Sequence, residues 1–173
     1  MIIRKAVIGE EPLILSFYED LIRLMKDEKY LYPPRWVIGV YPREEDITEA
    51  VRTGEYYIAV EDERIVGAFI LNHTEGEGYD RTAWHVQTKR PAVIHLLAVH
   101  PELQGRGLAK ALLKKAVEIS RHKGDASIRL DTLPWNKQSC SLYSHFGFQH
   151  CGDVELEYPS TGIIPFSMFE YEL

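Results

Sequence analysis

The chain has 173 residues, 45% of them hydrophobic, which is enough to bury a full core, and we expect a single domain over residues 1–173. Its net charge of −6 argues against a general nucleic-acid surface, because such a surface needs a clustered basic face. The 2 cysteines, Cys140 and Cys151, give no disulfide framework and indicate a reducing compartment.

The first predicted elements are a strand from Ile2 to Ile8 and a helix from about Glu11 to Met25. The first residues carry no apolar targeting segment, and His95 interrupts the longest apolar run elsewhere. We therefore expect no signal peptide, no membrane span or membrane partner, and a cytoplasmic protein.

A loop rich in proline and aromatic residues follows the first helix. Its aromatic side chains are Tyr30, Tyr32, Trp36 and Tyr41. The pattern then predicts a helix from about Arg43 to Arg52, ended by Gly54, and two β-rich runs, Tyr56 to Glu61 and Ile65 to Leu71, joined as a hairpin.

A polar loop, Asn72 to Arg90, leads to a predicted strand from Ala92 to Val99 and then to an amphipathic helix that Gly124 ends. The apolar stripe of that helix is Leu108, Leu112, Ala116 and Ile119. The remaining predicted elements are a strand Ser127 to Asp131, a helix capped by Asn136 and closing at Phe146 and Gly147, and two strands, Phe148 to Tyr158 and Ser167 to Leu173.

Two glycines, Gly105 and Gly107, lie in the loop that opens the amphipathic helix. Glycine lets a backbone approach a bound group closely, and the first N–H groups of a helix favour an anion such as pyrophosphate. The spacing fits neither a Walker loop nor a dinucleotide fingerprint.

The segment Gln104 to Ala109 resembles the Gln/Arg-x-x-Gly-x-Gly/Ala loop of the GNAT N-acetyltransferase superfamily, and Leu97 to Pro101 resembles the strand and turn before it. A second motif lies in Ile128 to Phe148. An Asn, a Leu-Tyr pair and a Gly-Phe pair follow one another there at the spacing found in that family. The resemblance is strong over Val93 to Phe148, and elsewhere it rests on element order alone. It implies an α/β GNAT fold with a mixed, mostly antiparallel central sheet flanked by helices.

The resemblance also implies that the chain binds acetyl-CoA as acetyl donor, and no metal. The residues assigned to the coenzyme are Gln104, Gly105, Arg106, Gly107, Leu108, Ala109, Lys110 and Asn136. Main-chain groups of Leu97, Ala98 and Val99 are assigned to the pantetheine arm and to the oxyanion, at a point where the family's strand separates from its parallel neighbour.

Acetyl transfer to an amine needs a base for the amine proton, donors for the oxyanion and a proton donor for the leaving thiolate. Tyr143 matches the family's proton-donating tyrosine. For the base, His95 has the advantage that an unperturbed histidine titrates near pH 6.5, whereas Asp131 would need a substantial upward pKa shift. A water chain without a single base stays a third alternative.

The acidic net charge favours a cationic acceptor such as a primary amine of a small molecule. The aromatic loop lies where the family builds its acceptor pocket, although the same side chains would also pin a loop to the core. The sequence predicts direct attack in a ternary complex. It leaves open a peptide or protein N-terminal acetyltransferase, a non-catalytic acyl-CoA-binding regulatory domain, and a homodimer.

Overall fold

The computed structural model describes residues 1–26, 36–158 and 162–173. The helices of these ranges are α1 (Glu11–Leu24), α2 (Glu44–Arg52), α3 (Leu108–Lys123) and α4 (Lys137–Phe146). The strands are β1 (Ile2–Lys5), β2 (Tyr56–Glu61), β3 (Arg64–Asn72), β4 (Ala92–Val99), β5 (Ser127–Thr132), β6 (Gln149–Tyr158) and β7 (Gly162–Glu172). Short 3₁₀ turns lie at Tyr79–Arg81 and Pro101–Leu103. Within the described ranges, no helix is long and apolar enough to cross a membrane.

The strands follow the order β1-β2-β3-β4-β5-β7-β6. Strands β4 and β5 run parallel, with Ala92 opposite Ile128 and Val93 opposite Arg129. The pairs β1–β2, β2–β3, β5–β7 and β6–β7 are antiparallel. The mixed, mostly antiparallel sheet expected from the sequence is thereby confirmed.

Two predicted strand boundaries were wrong. Strand β1 ends at Lys5 rather than Ile8, because the chain turns there and the N–H of Glu10 donates to the carbonyl of Val7. Strand β7 begins at Gly162 rather than Ser167, because its pairing with β6 continues to the partners Tyr158 and Gly162. The 3₁₀ turns were not predicted, since a turn this short leaves no apolar period in the sequence.

One compact unit comprises Met1–Leu71 and His95–Lys115, and we call it the first unit. Its core joins the buried faces of α1 and α2 to β2 and β3, with Ile14, Ile47 and Ile58 fully buried. Helix α3 begins against this sheet at Gly67, where an added Cβ would lie 3.0 Å from Leu112 Cδ1 and 3.1 Å from the Ala98 carbonyl oxygen. Any side chain at this position would therefore push α3 and β4 away from β3.

The second unit comprises Asn72–Ile94 and Ala116–Leu173. A buried ion pair lies in it, because Arg129 Nε donates to Glu170 Oε1 at 2.9 Å. Arg129 also donates to Glu75 and to the carbonyl of Val86, and its guanidinium lies 4.4 Å from the ring centroid of Trp84. These contacts hold the long loop before β4 against β5 and β7, and a buried pair of this kind is costly to break on one side only.

Candidate functional site

The glycine loop has the backbone conformation that only glycine adopts easily. Gly105 and Gly107 have φ angles of +79° and +81°, in the left-handed region. Both are exposed, and nothing lies within 4 Å of the Cβ position of either. A group larger than a water molecule can therefore approach the loop backbone at both glycines.

Helix α3 starts directly after this loop. The N–H of Ala111 donates to the carbonyl of Gly107 at 3.1 Å, which is the first intrahelical bond of the helix. The N–H groups of Leu108, Ala109 and Lys110 precede it, and a helix provides no internal acceptor for them. Arg106 and Lys110 are exposed cations beside these donors, so the start of α3 combines backbone donors with positive charge.

Strand β4 carries a kink just before this loop. Leu96 has a φ of +52°, although it is not a glycine and lies inside a strand. Such a conformation is uncommon for a residue with a branched side chain and costs about 1–3 kcal/mol. His95 and Leu97 flank the kink and are half-buried, whereas Ala98 and Val99 are buried.

Two buried tyrosines hold the kinked residue. The hydroxyl of Tyr18, on α1, donates to the carbonyl oxygen of Leu96 at 2.7 Å. The hydroxyl of Tyr56, on β2, donates in turn to the hydroxyl oxygen of Tyr18 at 2.9 Å. Sequence reasoning missed both residues, because a tyrosine within an apolar stripe gives no sign of where its hydroxyl binds.

Burial raises the pKa of Tyr18, Tyr56 and Tyr143 above the ordinary tyrosine value of 10.0. Their contribution to stability is complete below the pKa of an unfolded tyrosine and is lost as pH rises, because the unfolded chain then releases protons that the folded protein keeps. We expect the free energy of unfolding to fall above pH ~10, by up to about 1.4 kcal/mol per pH unit for each tyrosine. Urea unfolding at several alkaline pH values measures this slope.

The variant Tyr56→Phe is the control for this expectation. It removes one of the groups with a raised pKa, so the decline of its unfolding free energy with alkaline pH should be shallower than that of the parent. Equal slopes in the two proteins would contradict the expectation.

In the second unit, Asp131 lies near the end of β5 and is half-buried. The hydroxyl of Tyr79, from the long loop before β4, donates to Asp131 Oδ2 at 2.8 Å. This bond joins the long loop before β4 to the end of β5. Tyr79 was also missed from the sequence, since it lies in a polar loop without periodic pattern.

Helix α4 begins and ends as predicted. The side chain of Asn136 accepts a hydrogen bond from the N–H of Ser139 at 3.1 Å, and Gly147 ends the helix in the left-handed conformation. Tyr143 is 6% exposed, and its ring packs against Phe148 and Phe169 at centroid distances of 5.8 and 5.6 Å.

The surroundings of Tyr143 raise its pKa above that of an ordinary phenol. Burial raises its pKa most, and the charge of Asp131 raises it further, while a hydrogen bond with the Ser139 side chain opposes the shift. Tyr143 therefore stays neutral at any working pH. Its hydroxyl can donate a hydrogen bond, but full proton transfer to a thiolate is further uphill than it is for an ordinary phenol.

Of the aromatic loop, the described residues Trp36 and Tyr41 pack against the core of the first unit. Trp36 meets the ring of Tyr18 edge-on at 5.4 Å. Tyr30 and Tyr32 lie outside the described residues. Among those that are described, no group of three or more His, Cys, Asp or Glu side chains could hold a metal ion.

A comparison with known protein families shows which family the chain belongs to. The sequence profile of the acetyltransferase (GNAT) family matches residues 18–148. The chain belongs to the GNAT family. This GNAT chain is 37% identical over 57 residues to a thialysine N-epsilon-acetyltransferase of Bos taurus, covering 33% of the chain and 34% of that relative. The match thus spans about a third of the relative's length.

Solved structures show the same fold at low sequence identity. A GNAT family acetyltransferase from Streptococcus agalactiae has a TM-score of 0.76 and 22% identity, with 99% of this chain and 95% of that one covered. The Drosophila melanogaster polyamine N-acetyltransferase, an enzyme that forms N-acetylagmatine, has a TM-score of 0.72 and 17% identity, with 99% of each chain covered. These likenesses show that the GNAT fold extends beyond the matched profile to nearly the whole chain.

Proposed function

We propose that this protein is an acetyl-CoA-dependent N-acetyltransferase that moves an acetyl group to a primary amine of a small molecule by direct attack in a ternary complex. The observation that carries the proposal is the glycine pair Gly105 and Gly107, open at both Cβ positions and followed by a 16-residue helix. This combination suits the pyrophosphate of a coenzyme. In this proposal residues 1–173 are a single acetyltransferase domain, of which the family profile matches residues 18–148.

The residues present fit acetyl-CoA. Backbone groups of the segment Gln104 to Lys110 would hold the pyrophosphate, with Arg106 and Lys110 adding positive charge. Main-chain groups of Leu97, Ala98 and Val99 would hold the pantetheine arm, and Asn136 would contact the coenzyme while capping α4. Bound acetyl-CoA supplies an activated acetyl thioester, and the protein binds and orients it.

Three proton and charge requirements fall to residues of this chain. His95 accepts the proton that the attacking amine must lose, with Asp131 or a water chain as the alternatives. The N–H groups of the kinked segment of β4 donate to the oxygen on which negative charge develops. Tyr143 donates a hydrogen bond to the leaving sulfur, which its raised pKa keeps available at any working pH.

Several observations support a small cationic acceptor. The relatives named above act, by their names, on thialysine and on polyamines. The net charge of −6 attracts cations at long range. Trp36 and Tyr41 offer apolar surface for the carbon skeleton of such an amine. The absence of a disulfide framework supports a cytoplasmic location, since Cys140 and Cys151 are both free.

The variant Gly107→Val tests the coenzyme loop. Valine at a φ of +81° is strained, and its side chain would occupy the open space beside the α3 donors, so we expect acetyl-CoA affinity to fall by more than about tenfold, the equivalent of 1.4 kcal/mol. Titration calorimetry measures the affinity.

The matched control is Gly124→Val at the other end of α3, where φ is +74° and nothing lies within 4 Å of the Cβ position. It imposes similar backbone strain outside the loop and should bind acetyl-CoA as the parent does. Equal affinity of Gly107→Val and Gly124→Val would remove the loop from the coenzyme site.

The activity itself is tested with an amine panel. The parent protein is incubated with acetyl-CoA and, in turn, with thialysine, agmatine, a polyamine and a peptide with a free N-terminus, and released thiol is measured. We expect saturable release with at least one of the small amines. Release with the peptide alone would favour the N-terminal acetyltransferase, and acetyl-CoA binding without release for any amine would favour the non-catalytic domain.

A further inference from the structure

The kink at Leu96 has a consequence for the next backbone N–H group. In a trans peptide the C=O of one residue and the N–H of the following residue lie in one plane and point in opposite directions. Whatever fixes the carbonyl of Leu96 therefore also fixes the direction of the N–H of Leu97. The hydroxyl of Tyr18 makes that contact at 2.7 Å.

We propose that Tyr18, supported by Tyr56, is a positioning residue that aims the N–H of Leu97 at the carbonyl oxygen of the acyl thioester. The proposal rests on the function proposed above and adds to it the side chains that set the oxyanion-binding geometry. Neither tyrosine touches the substrate in this role. Both act through the peptide that joins Leu96 to Leu97.

The packing around Tyr18 suits such a role. Its side chain is 2% exposed, and Phe17 and Trp36 meet its ring edge-on at 5.1 and 5.4 Å, so the ring has little freedom to move. Tyr56 is 0% exposed and donates to the Tyr18 oxygen, which leaves the Tyr18 proton directed to Leu96. A donor whose own oxygen accepts a hydrogen bond is polarised and binds more strongly.

The strained conformation of Leu96 also supports a positioning role for Tyr18. A residue with a φ of +52° inside a strand persists only where its surroundings determine its conformation. The bond from Tyr18 is a buried contact of that kind, made from a different element 78 residues away in sequence. Loss of the bond would let the peptide between Leu96 and Leu97 rotate toward ordinary strand geometry, and the N–H would then turn away from its aimed direction.

A contact with Trp36 connects Tyr18 to the aromatic loop that follows α1. Trp36 lies on this loop, and its ring packs edge-on against that of Tyr18 at 5.4 Å. An acceptor amine bound beside Trp36 would therefore contact the ring that packs on Tyr18.

The test uses Tyr18→Phe, with Tyr57→Phe as matched control. Both variants lose one hydroxyl and keep a ring, and Tyr57 is also a buried residue of the first unit, with its ring stacked on Phe69 at 5.1 Å. For Tyr18→Phe we expect kcat to fall by about tenfold to 10²-fold, because an N–H of an oxyanion site is misaligned, with little change in coenzyme A affinity. Tyr57→Phe should keep the kcat of the parent.

A spectroscopic measurement separates positioning from general damage. Infrared difference spectra of acetyl-CoA labelled with ¹³C at the thioester carbonyl report the hydrogen bond to that oxygen directly. In the parent and in Tyr57→Phe the bound carbonyl should absorb at lower frequency than in water-free reference solvent, and in Tyr18→Phe this shift should shrink. Tyr56→Phe, which keeps the bond to Leu96, should show an intermediate shift and a smaller loss of kcat.

The outcomes separate a failure of the proposed function from a failure of the positioning role of Tyr18. A parent protein that shows neither turnover nor a carbonyl shift contradicts the proposed function itself. A parent that turns over, together with a Tyr18→Phe variant that matches Tyr57→Phe in kcat and in carbonyl frequency, overturns the positioning role alone. Should Tyr18→Phe fail to fold, Tyr56→Phe carries the test, and a carbonyl frequency and kcat equal to those of the parent would overturn the role.

Discussion

Replacing His95 by alanine should slow acetyl transfer by roughly 10²- to 10⁴-fold, because the amine then lacks a positioned proton acceptor. His95 is half-buried on β4, next to the kink at Leu96. In the parent, kcat/KM should rise with pH as the base loses its proton, and His95→Ala should remove that rise. Steady-state kinetics over a pH series measure both effects.

Two control variants test whether the effect is specific to His95. His100→Ala changes another half-buried histidine just beyond the same strand and should leave the pH profile unchanged. Asp131→Asn should also have little effect, since the asparagine oxygen can still accept the hydrogen bond from Tyr79. A profile that follows only the ionisation of the amine, with both His95→Ala and Asp131→Asn within a few-fold of the parent, would instead favour the water chain.

The variant Tyr143→Phe should keep acetyl-CoA affinity and lose about 10²-fold or more in kcat, because only the hydroxyl that we propose as donor to the leaving sulfur is removed. The ring contacts with Phe148 and Phe169 persist in phenylalanine, so the fold should be unaffected. Since burial and Asp131 raise the pKa of Tyr143, we also expect no loss of kcat from its ionisation below pH ~10. Turnover and calorimetric affinity, measured on the same preparations, test the two parts separately.

The matched control is Tyr171→Phe. Tyr171 belongs to the same aromatic cluster, where its ring lies 5.3 Å from that of Phe148, and it has no role in the proposed chemistry. It should turn over as the parent does. Near-full activity in Tyr143→Phe would leave Tyr143 as a packing residue between α4 and β7.

The parts of the fold that depend on local pattern were predictable. The predicted apolar stripe of α3 is Leu108, Leu112, Ala116 and Ile119; the first three residues are buried and Ile119 is half-buried. Asn136 and Gly147 mark the ends of α4, since a side-chain cap and a left-handed glycine are local signals. The glycine loop was predictable for the same reason, because Gly105 and Gly107 carry its conformation themselves.

The parts of the fold and of the site that depend on contacts between residues distant in sequence were not predictable. Leu96 has no sequence feature that announces a positive φ, and the bond that accompanies it comes from Tyr18 on α1. The bond from Tyr79 to Asp131 likewise joins a polar loop to a strand 52 residues away. The raised pKa of Tyr143 follows from burial and from the charge of Asp131, neither of which its own helix encodes.

The most direct measurement follows an isotopic label in the acetyl group of acetyl-CoA after reaction with the amine that releases most thiol. The account predicts that the label appears on the amine nitrogen in an amount equal to the thiol released, and that the protein carries no covalently attached label at any time. Label retained on the protein, or thiol released without labelled amine, would contradict direct transfer in a ternary complex.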